Sequence, residues 1–233
     1  MSKKLGVIGG MGSEATSYFF DEVVKHTVAE KDQEHIDTII LNHATLPDRT
    51  EAILTKDTKE LVEKLRKDAE ILEKLGVKNI AIPCNTSHYF YEEVQKEISI
   101  PIIHMVHESI KKALQQFGDV KKIGILGTTG TINSGIYHKE CEKLGVKAVT
   151  PSEKRQEDIM SLIYEDVKKG SAGDPKKFER AYHELKEQGS DVVILACTEL
   201  SVFKKTHQIP NDCLDALDVL VREAIQRSNA TYR

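Results

Sequence analysis

Short apolar runs alternate with longer amphipathic stretches along most of the chain. Runs rich in valine and isoleucine predict strands in the first half near residues 4–9, 36–43, 78–83 and 101–104. The same pattern predicts strands in the second half near residues 121–126, 146–150 and 191–196. This alternation is typical of a parallel sheet that is covered by helices on both faces.

The stretches between these runs repeat their apolar positions at helical spacing. Val62, Leu65, Ala69 and Leu72 mark one face of a long helix, which we expect to end at Gly76. In the second half, the pattern predicts helices near residues 131–144, 156–169, 175–188 and 214–227.

The two halves of the chain resemble each other, which indicates an internal repeat. Residues 3–12 read KKLGVIGGMG and residues 121–130 read KKIGILGTTG, so three glycines coincide at a constant offset. Later in each half an apolar run ends in a cysteine, first Cys84 and then Cys197. Two similar halves usually pack about a pseudo-two-fold axis, and such packing would bring the two cysteines to face each other across one cleft.

We therefore expect an α/β fold of two similar lobes, each a mainly parallel sheet flanked by helices, with the active site between them. The predicted lobes are residues 1–118, which carry Cys84, and residues 119–233, which carry Cys197. The final helix could return to pack on the first lobe. A chain of 233 residues is long enough for two cores of this kind.

The charge pattern argues against nucleic acid or an anionic membrane as a partner. The 33 lysine and arginine residues are scattered among 37 aspartate and glutamate residues, and the formal net charge is -4. No apolar stretch approaches the length of a membrane span, and the first residues show no signal-peptide pattern. We expect a soluble cytoplasmic protein that holds any anionic substrate with local groups.

Four cysteines would permit two disulfides by count, but a cytosolic chain of this size does not need them. The cysteine spacings also lack the paired short intervals of a zinc site. We expect no disulfide and no metal, and we assign Cys141 and Cys213 to packing.

The glycine-rich segment at residues 10–15, GMGSEA, matches a dinucleotide-binding pattern only weakly. That pattern expects an acidic residue at the end of the second strand, whereas residues 39–44 read IILNHA. A loop whose backbone amides bind a small anion is favoured, because the segment recurs at residues 127–130. A nucleotide loop and a plain tight turn stay open as alternatives.

Both strand-end cysteines precede a predicted helix. That position lies near the positive end of the helix and at the edge of the sheet where ligands usually bind. We expect it to lower the pKa of each thiol. A lone cysteine of this kind is more often buried in the core, but the matched setting of Cys84 and Cys197 favours a functional role.

Three segments resemble those of the cofactor-independent aspartate/glutamate racemases, most closely the aspartate racemase branch. They are residues 9–16 (GGMGSEAT), 83–88 (PCNTSH) and 196–200 (ACTEL). The resemblance implies a two-lobed fold with no pyridoxal phosphate or other cofactor, in which Cys84 and Cys197 act as acid and base. It also implies a small acidic amino acid as substrate and, since relatives are commonly dimeric, a homodimer.

Inversion at an α-carbon needs a base on one face and an acid on the other, so one cysteine should be a thiolate and its partner a thiol. The developing enediolate must be stabilised by positioned donors. Polar residues next to the glycine-rich segments and the cysteines are expected to contact the substrate, namely Asn85, Thr86, Thr128 and Thr198, together with Met11.

A second carboxylate on the substrate calls for a cation. Arg49 follows the second predicted strand and could bind it with two hydrogen bonds, and the family resemblance implies the same contact. The alternative is that Arg49 pairs with Asp48 or caps the next helix. Lys168 matches a lysine to which the family gives the same purpose, although Lys169 could be the true match.

Four histidines lie near strand ends, namely His43, His88, His104 and His107. No pair has the spacing of metal ligands beside a carboxylate. We treat His88 as a possible partner of Cys84 and the other three as structural.

Two other functions stay open. One is maleate-type cis–trans isomerisation, in which one thiolate adds covalently to the alkene. The other is a non-catalytic protein that binds a dicarboxylate or senses redox state, against which Arg49 and the intact cysteine pair both count.

Overall fold

The computed structural model describes residues 4–233, which form two compact units. The first unit runs to Glu108 and resumes from Leu217 to Arg233, and the second spans Ser109–Ala216. The predicted lobes, residues 1–118 and 119–233, place the boundary at a different point and stay a prediction. Residues 1–3, which include the start of the repeated segment, lie outside the described residues.

The first unit contains a three-stranded sheet. Its strands are β1 (Leu5–Gly9), β2 (Thr38–Asn42) and β3 (Asn79–Ala81). Its helices are α1 (Ser13–His26), α2 (Arg49–Thr55), α3 (Lys59–Lys74) and α4 (Tyr91–Gln95), followed by α5 (Met105–Phe117), which continues into the second unit. Short 3-10 turns occupy Asp32–Glu34 and Thr86–Phe90.

The second unit contains a four-stranded sheet. Its strands are β4 (Lys122–Gly127), β5 (Lys147–Val149), β6 (Val192–Ala196) and β7 (Cys213–Asp215). Its helices are α6 (Thr129–Ser134), α7 (Ile136–Lys143), α8 (Glu153–Ser161), α9 (Pro175–Glu187) and α10 (Thr198–Lys204). The final helix α11 (Ala216–Arg227) lies almost entirely in the first unit.

The two sheets share one strand order. In the first sheet β1 lies between β2 and β3, and in the second β4 lies between β5 and β6, with β7 beside β6. All these pairs are parallel. Gly6 of β1 and Gly124 of β4 occupy the same central place in their sheets, so the repeat seen in the sequence is also a repeat of topology. The expected α/β class with parallel sheets is confirmed.

The apolar face that predicted a long helix is confirmed in α3. Its predicted face is buried, and it packs in one apolar cluster with β1, β3 and the Cys84 segment. The helix ends next to Gly76, whose φ of +77° lets the chain leave the helix. A corresponding cluster in the second unit joins β6 to the apolar faces of α8 and α9.

One predicted strand is wrong. Residues 101–104 form only an isolated parallel bridge, between Ile102 and Ile80. Pro101 cannot donate a backbone hydrogen bond, and α5 begins already at Met105, so the ladder cannot extend in either direction.

Two predicted helices are interrupted. The helix expected at residues 131–144 is split into α6 and α7 by Gly135, which adopts a φ of +66°. The helix expected at residues 156–169 ends as α8 at Ser161 and continues as a π-helical turn (Leu162–Asp166) and a 3-10 turn (Val167–Lys169). These changes of winding alter which side chains face the core.

No helix within residues 4–233 combines the length and the apolar character needed to cross a membrane.

In the turn after β1, the main chain of the glycine-rich segment lies very close to the side chain of Thr16. Thr16 accepts a hydrogen bond from the Gly10 amide at 2.9 Å and donates one to the Gly12 carbonyl at 2.9 Å. A Cβ atom at Gly9 would lie 2.3 Å from Thr16 Cγ2, so only glycine fits there. The glycine-rich segment therefore wraps tightly around the first turn of α1.

We expect Gly9→Ala to lower the free energy of unfolding by about 1–3 kcal/mol, because its methyl group displaces Thr16 from both hydrogen bonds. Urea denaturation of Gly9→Ala, Thr16→Ala and the double variant measures this. Thr16→Ala removes the atoms that the new methyl group meets, so the double variant should be less destabilised than the sum of the two single variants. Additive losses, within about 0.5 kcal/mol, would contradict the steric explanation.

Candidate active site

Cys84 follows β3 at the carboxyl edge of the first sheet. Its backbone amide donates to the carbonyl of Ile82 at 2.7 Å, which turns the chain sharply at the strand end. The cysteine is 7% exposed. Asn85 and Thr86, the predicted substrate contacts, are both buried next to it at the start of the 3-10 turn.

His88 anchors this turn through its ring. Its Nδ1 lies 2.9 Å from the Cys84 carbonyl and its Nε2 lies 3.2 Å from the Ile103 carbonyl. Burial lowers the pKa of the imidazole, while the two carbonyls act in the opposite direction. The ring therefore ties the backbone of the cysteine to the neighbouring chain.

Met11 lies beside this turn. Its Sδ is 3.1 Å from the Ser87 hydroxyl, which brings the glycine-rich segment against the residues that follow Cys84. Gly10 has a φ of +89°, and an added Cβ there would lie 2.4 Å from the backbone of His43. Two predicted elements of the site, the glycine-rich loop and the first cysteine segment, thus meet within one unit.

Arg49 is the first residue of α2, a helix that packs against the 3-10 turn after Cys84. Asp48 caps α2 by accepting a hydrogen bond from the Glu51 amide at 2.9 Å. Arg49 donates from Nη1 to the Pro47 carbonyl at 3.2 Å. Its Nε is buried and has no hydrogen-bond partner within residues 4–233. The guanidinium group therefore retains donors that a carboxylate could use.

The other histidines named from the sequence have structural partners. His43 Nδ1 lies 2.8 Å from the carboxylate of Asp68 in α3. The ring of His104 lies 4.2 Å from that of Tyr91 and 6.2 Å from that of His107. Across the described part of the chain, no three His, Cys, Asp or Glu side chains are gathered so that they could hold a metal ion.

In the second unit, Cys197 directly follows β6 and precedes α10. It is 7% exposed, the same fraction as Cys84. Because β6 holds the place in its sheet that β3 holds in the first, the two cysteines end equivalent strands. All four cysteines of the chain are free thiols.

The expectation that the strand-end position lowers the thiol pKa is wrong for Cys197. Burial, followed by the carboxylate of Glu199, raises the pKa of Cys197 well above its usual range. The thiol donates to Glu199 Oε2 at an S–O distance of 2.9 Å. These effects outweigh the hydrogen bond from the Glu199 backbone amide and the positive charge of Lys168, which both lower the pKa.

The structure distinguishes the two candidate lysines. Lys168 Nζ lies 3.9 Å from Glu199 Oε1 and 3.9 Å from the ring centre of Tyr164. Its side chain is 28% exposed. Lys169 is 63% exposed and pairs with Glu165 on the surface. Lys168 therefore lies beside Glu199, the partner of Cys197, whereas Lys169 lies on the surface. Contact of Lys168 with the substrate stays a prediction.

The remaining predicted contacts lie at the starts of two helices. Thr128 is the N-cap of α6 and accepts from the Thr131 amide at 3.2 Å. Gln156 steadies the same loop by donating to the Gly127 carbonyl at 2.9 Å. Thr198, the first residue of α10, is buried, and its hydroxyl donates to Glu199 Oε2 at 3.3 Å.

Sequence reasoning missed Glu199. The available signal was a difference within the repeat, since the residue two positions after the cysteine is Thr86 in the first half and Glu199 in the second. A buried carboxylate beside a thiol changes the charge that the thiol can carry, whereas a threonine does not.

Comparisons with known proteins give the family. The family model described as Asp/Glu/Hydantoin racemase matches residues 8–224. The broad specificity amino-acid racemase RacX of Bacillus subtilis is 30% identical over 225 residues, which cover 95% of this chain and 96% of that protein. The glutamate racemase of Aquifex pyrophilus is 32% identical over 154 residues, covering 66% of this chain and 58% of that protein.

Solved structures agree with the sequence matches. The aspartate racemase of Picrophilus torridus superimposes with a TM-score of 0.84 at 28% identity, covering 99% of this chain and 96% of that one. The RacX match and the Picrophilus torridus structure extend over nearly the whole chain, and the residues matched by the family model include both cysteine segments. The chain therefore belongs to the Asp/Glu/hydantoin racemase family.

Proposed function

We propose that this protein racemises an acidic amino acid, aspartate or glutamate, without a cofactor, and that Cys84 and Cys197 act as a thiolate and thiol pair. The matched placement of the two cysteines carries the proposal. Each follows an equivalent strand, precedes a helical turn and is 7% exposed, and each is a free thiol.

The proposed reaction uses the two thiols in complementary states. One thiolate removes the α-proton of the substrate, and the electron pair of the C–H bond moves into an enediolate. The thiol on the opposite face then delivers its own proton to Cα, which inverts the centre. The first cysteine ends as a thiol and the second as a thiolate, so each hand of the substrate meets an enzyme form that can act on it.

The weak acidity of the α-proton makes charge stabilisation necessary. Buried donors strengthen their interaction with a developing negative charge because the surroundings are poorly solvated. Four predicted donors are buried, which supports such a role: Asn85 and Thr86 follow Cys84 in the chain, Thr198 follows Cys197, and Thr128 follows β4.

Two cationic side chains support an acidic amino acid as the substrate. Arg49 has a buried Nε without a hydrogen-bond partner among residues 4–233, and Lys168 lies beside Glu199, the partner of Cys197, so both support a second carboxylate on the substrate. The aspartate racemase of Picrophilus torridus supports aspartate, while RacX, named as a broad specificity racemase, favours testing a wider panel. The panel should include aspartate, glutamate and alanine.

We also propose that the protein acts in the cytoplasm, as a homodimer. Free thiols at both cysteine positions agree with a reducing compartment. The dimer rests on the resemblance to the family, and light scattering of the purified protein tests it.

A chiral assay of both hands of aspartate and glutamate in heavy water, with no cofactor added, tests the proposed activity. The product should carry deuterium at Cα. Conversion of maleate without such a label would favour the cis–trans isomerase, which proceeds through a thioether. Binding of aspartate with no change in optical rotation would favour a non-catalytic role.

We expect Cys84→Ala and Cys197→Ala each to lower the racemisation rate by at least about 100-fold, because inversion needs an acid and a base at once. The polarimetric rate of each variant measures this, with circular dichroism to confirm folding. Cys213→Ala is the matched control and should keep the parent rate. A near-normal rate for either site variant would refute the paired-thiol mechanism.

We expect Arg49→Leu to lower kcat/KM for aspartate by roughly one to two orders of magnitude, which corresponds to a charge-assisted contact of about 1.5–3 kcal/mol. Any activity on alanine should not fall, since alanine lacks the distal carboxylate. Arg66→Leu, which removes an arginine that donates to the Glu93 carbonyl and pairs with Glu97, is the control. An equal loss for aspartate and alanine would assign Arg49 to the fold or to the common part of the site.

We expect Lys168→Met to lower activity on aspartate by about 10-fold or more, and Lys169→Met to leave it unchanged. The two variants remove the same charge from adjacent positions, but only Lys168 is near Glu199 and Cys197. Steady-state kinetics of both variants, made side by side, measures the difference. The opposite result would identify Lys169 as the contact and Lys168 as a structural cation.

A further inference from the structure

The Cys197 thiol has a partner that has no counterpart in the first half of the repeat. Its sulfur lies 2.9 Å from Glu199 Oε2, and Thr198 Oγ1 lies 3.3 Å from the same oxygen. The carboxylate is buried and belongs to the first turn of α10. An ionised carboxylate accepts hydrogen bonds only, so beside an ionised Glu199 the proton of this contact is on sulfur.

The first half of the repeat offers no such acceptor at the matched position. Two residues after Cys84 stands Thr86, a neutral residue, where the second half has Glu199. Both cysteines end equivalent strands and are equally exposed at 7%. The two thiols therefore differ in the charge next to them, and they do not differ in solvent exposure.

We propose that Glu199 is a positioning residue that holds Cys197 as the thiol in the free enzyme, so that Cys197 is the resting acid and Cys84 the resting base. This inference rests on the proposed two-cysteine function. A two-base racemase needs one thiolate and one thiol, and a thiolate at Cys197 would lie against a buried carboxylate. The pair therefore adopts the arrangement in which the negative charge is on Cys84.

The proton balance fixes what happens after one turnover. When Cys84 removes the α-proton and Cys197 delivers its own, the enzyme is left with a Cys197 thiolate next to Glu199. Like charges at this distance favour return to the resting form. Cys197 then regains a proton from solvent, and Cys84 releases the one it received, so no net proton is consumed.

Other titratable groups around Cys197 support the assignment. Lys168 is the positive group that acts on the thiol, and it lies 3.9 Å from the other oxygen of Glu199, so its charge is shared with the carboxylate. Tyr137 of α7 also interacts with Cys197, and burial raises the pKa of its phenol well above its usual range, so that it stays neutral. Burial and Glu199 raise the pKa of Cys197 more than Lys168 lowers it.

The experiment measures alkylation of each cysteine by iodoacetamide, from pH 6 to 11, by mass spectrometry of peptides from the full-length protein, and the range extends upward because the pKa of Cys197 is raised. Only the thiolate reacts, so the midpoint of each profile, or the rate below it, reports protonation, and the plateau reports access and the nucleophilicity of the thiolate. The variants are Glu199→Gln, which removes the charge, and Glu199→Asp, which keeps it. Glu165→Gln, which removes an exposed carboxylate paired with Lys169, is the control for net charge.

In the parent protein, Cys197 should react more slowly than Cys84 near neutral pH. Glu199→Gln should move the Cys197 midpoint to lower pH, and its plateau should fall by only about threefold per pKa unit, which is the loss of nucleophilicity. A fall of one pKa unit should raise its rate below the midpoint by about threefold, since a less basic thiolate is also less nucleophilic. Glu199→Asp and Glu165→Gln should keep the parent midpoint.

An unchanged Cys197 midpoint in Glu199→Gln, or a change confined to the plateau, would overturn the assignment. The profiles do not depend on turnover, so the two proposals can fail separately. The expected shift without any racemisation would leave Glu199 as the group that protonates Cys197 and would reject the proposed function. Racemisation without the shift would retain the cysteine pair and reject the role of Glu199.

Discussion

Parallel pairing of the strands is the constraint on which the rest of this structure depends. A parallel neighbour can be reached only by a crossover connection, so each strand is followed by chain that leaves the sheet and returns through a helix. The carboxyl ends of β1, β2 and β3 consequently share one edge of the first sheet, and those of β4 and β6 share one edge of the second. Met11, Cys84, Thr128 and Cys197 all follow such ends, where a turn leads into a helical segment, whereas Lys168 lies after α8.

The same constraint explains what the sequence could reveal. A buried parallel strand must be apolar throughout, so β1, β4 and β6 are visible as uninterrupted runs, and the close approach after β1 leaves a glycine at a fixed place in both halves. The cysteines could be found because the repeat places them after equivalent strands. The predicted strand at residues 101–104 failed because Pro101 has no backbone donor and α5 begins already at Met105, so only the bridge between Ile102 and Ile80 forms.

The resemblance to the family favoured Lys168 over Lys169, but the pattern of apolar residues does not distinguish them. A regular helix would place neighbouring residues about 100° apart, but the chain here changes from α-helical to π-helical and then to 3-10 winding. Each change rotates the side chains that follow it relative to the core. Lys168 lies beside Glu199 and Lys169 lies on the surface because of this local change in winding. The pattern of apolar residues does not predict such a change.

The pKa of Cys197 shows how magnitudes decide between opposing effects. A helix start stabilises a nearby negative charge by about 0.3–1 kcal/mol, whereas full burial can shift a pKa by up to 3–5 units, each equivalent to about 1.4 kcal/mol. Burial therefore prevails, and Glu199 acts in the same direction. Cys84, beside Asn85 and Thr86, has no carboxylate at the position equivalent to Glu199.

A racemase with unequal cysteines must still obey the equilibrium of its reaction. The two hands of an amino acid have equal free energies, so the ratio kcat/KM has to be the same in both directions whatever the enzyme contains. The asymmetry at Glu199 can therefore not favour one product. Glu199 sets the protonation state of the free enzyme. It can therefore change kcat and KM for each hand, but only together, so that their ratio stays the same for both hands. An asymmetric charge next to one of two equivalent thiols is thus compatible with a symmetric overall reaction.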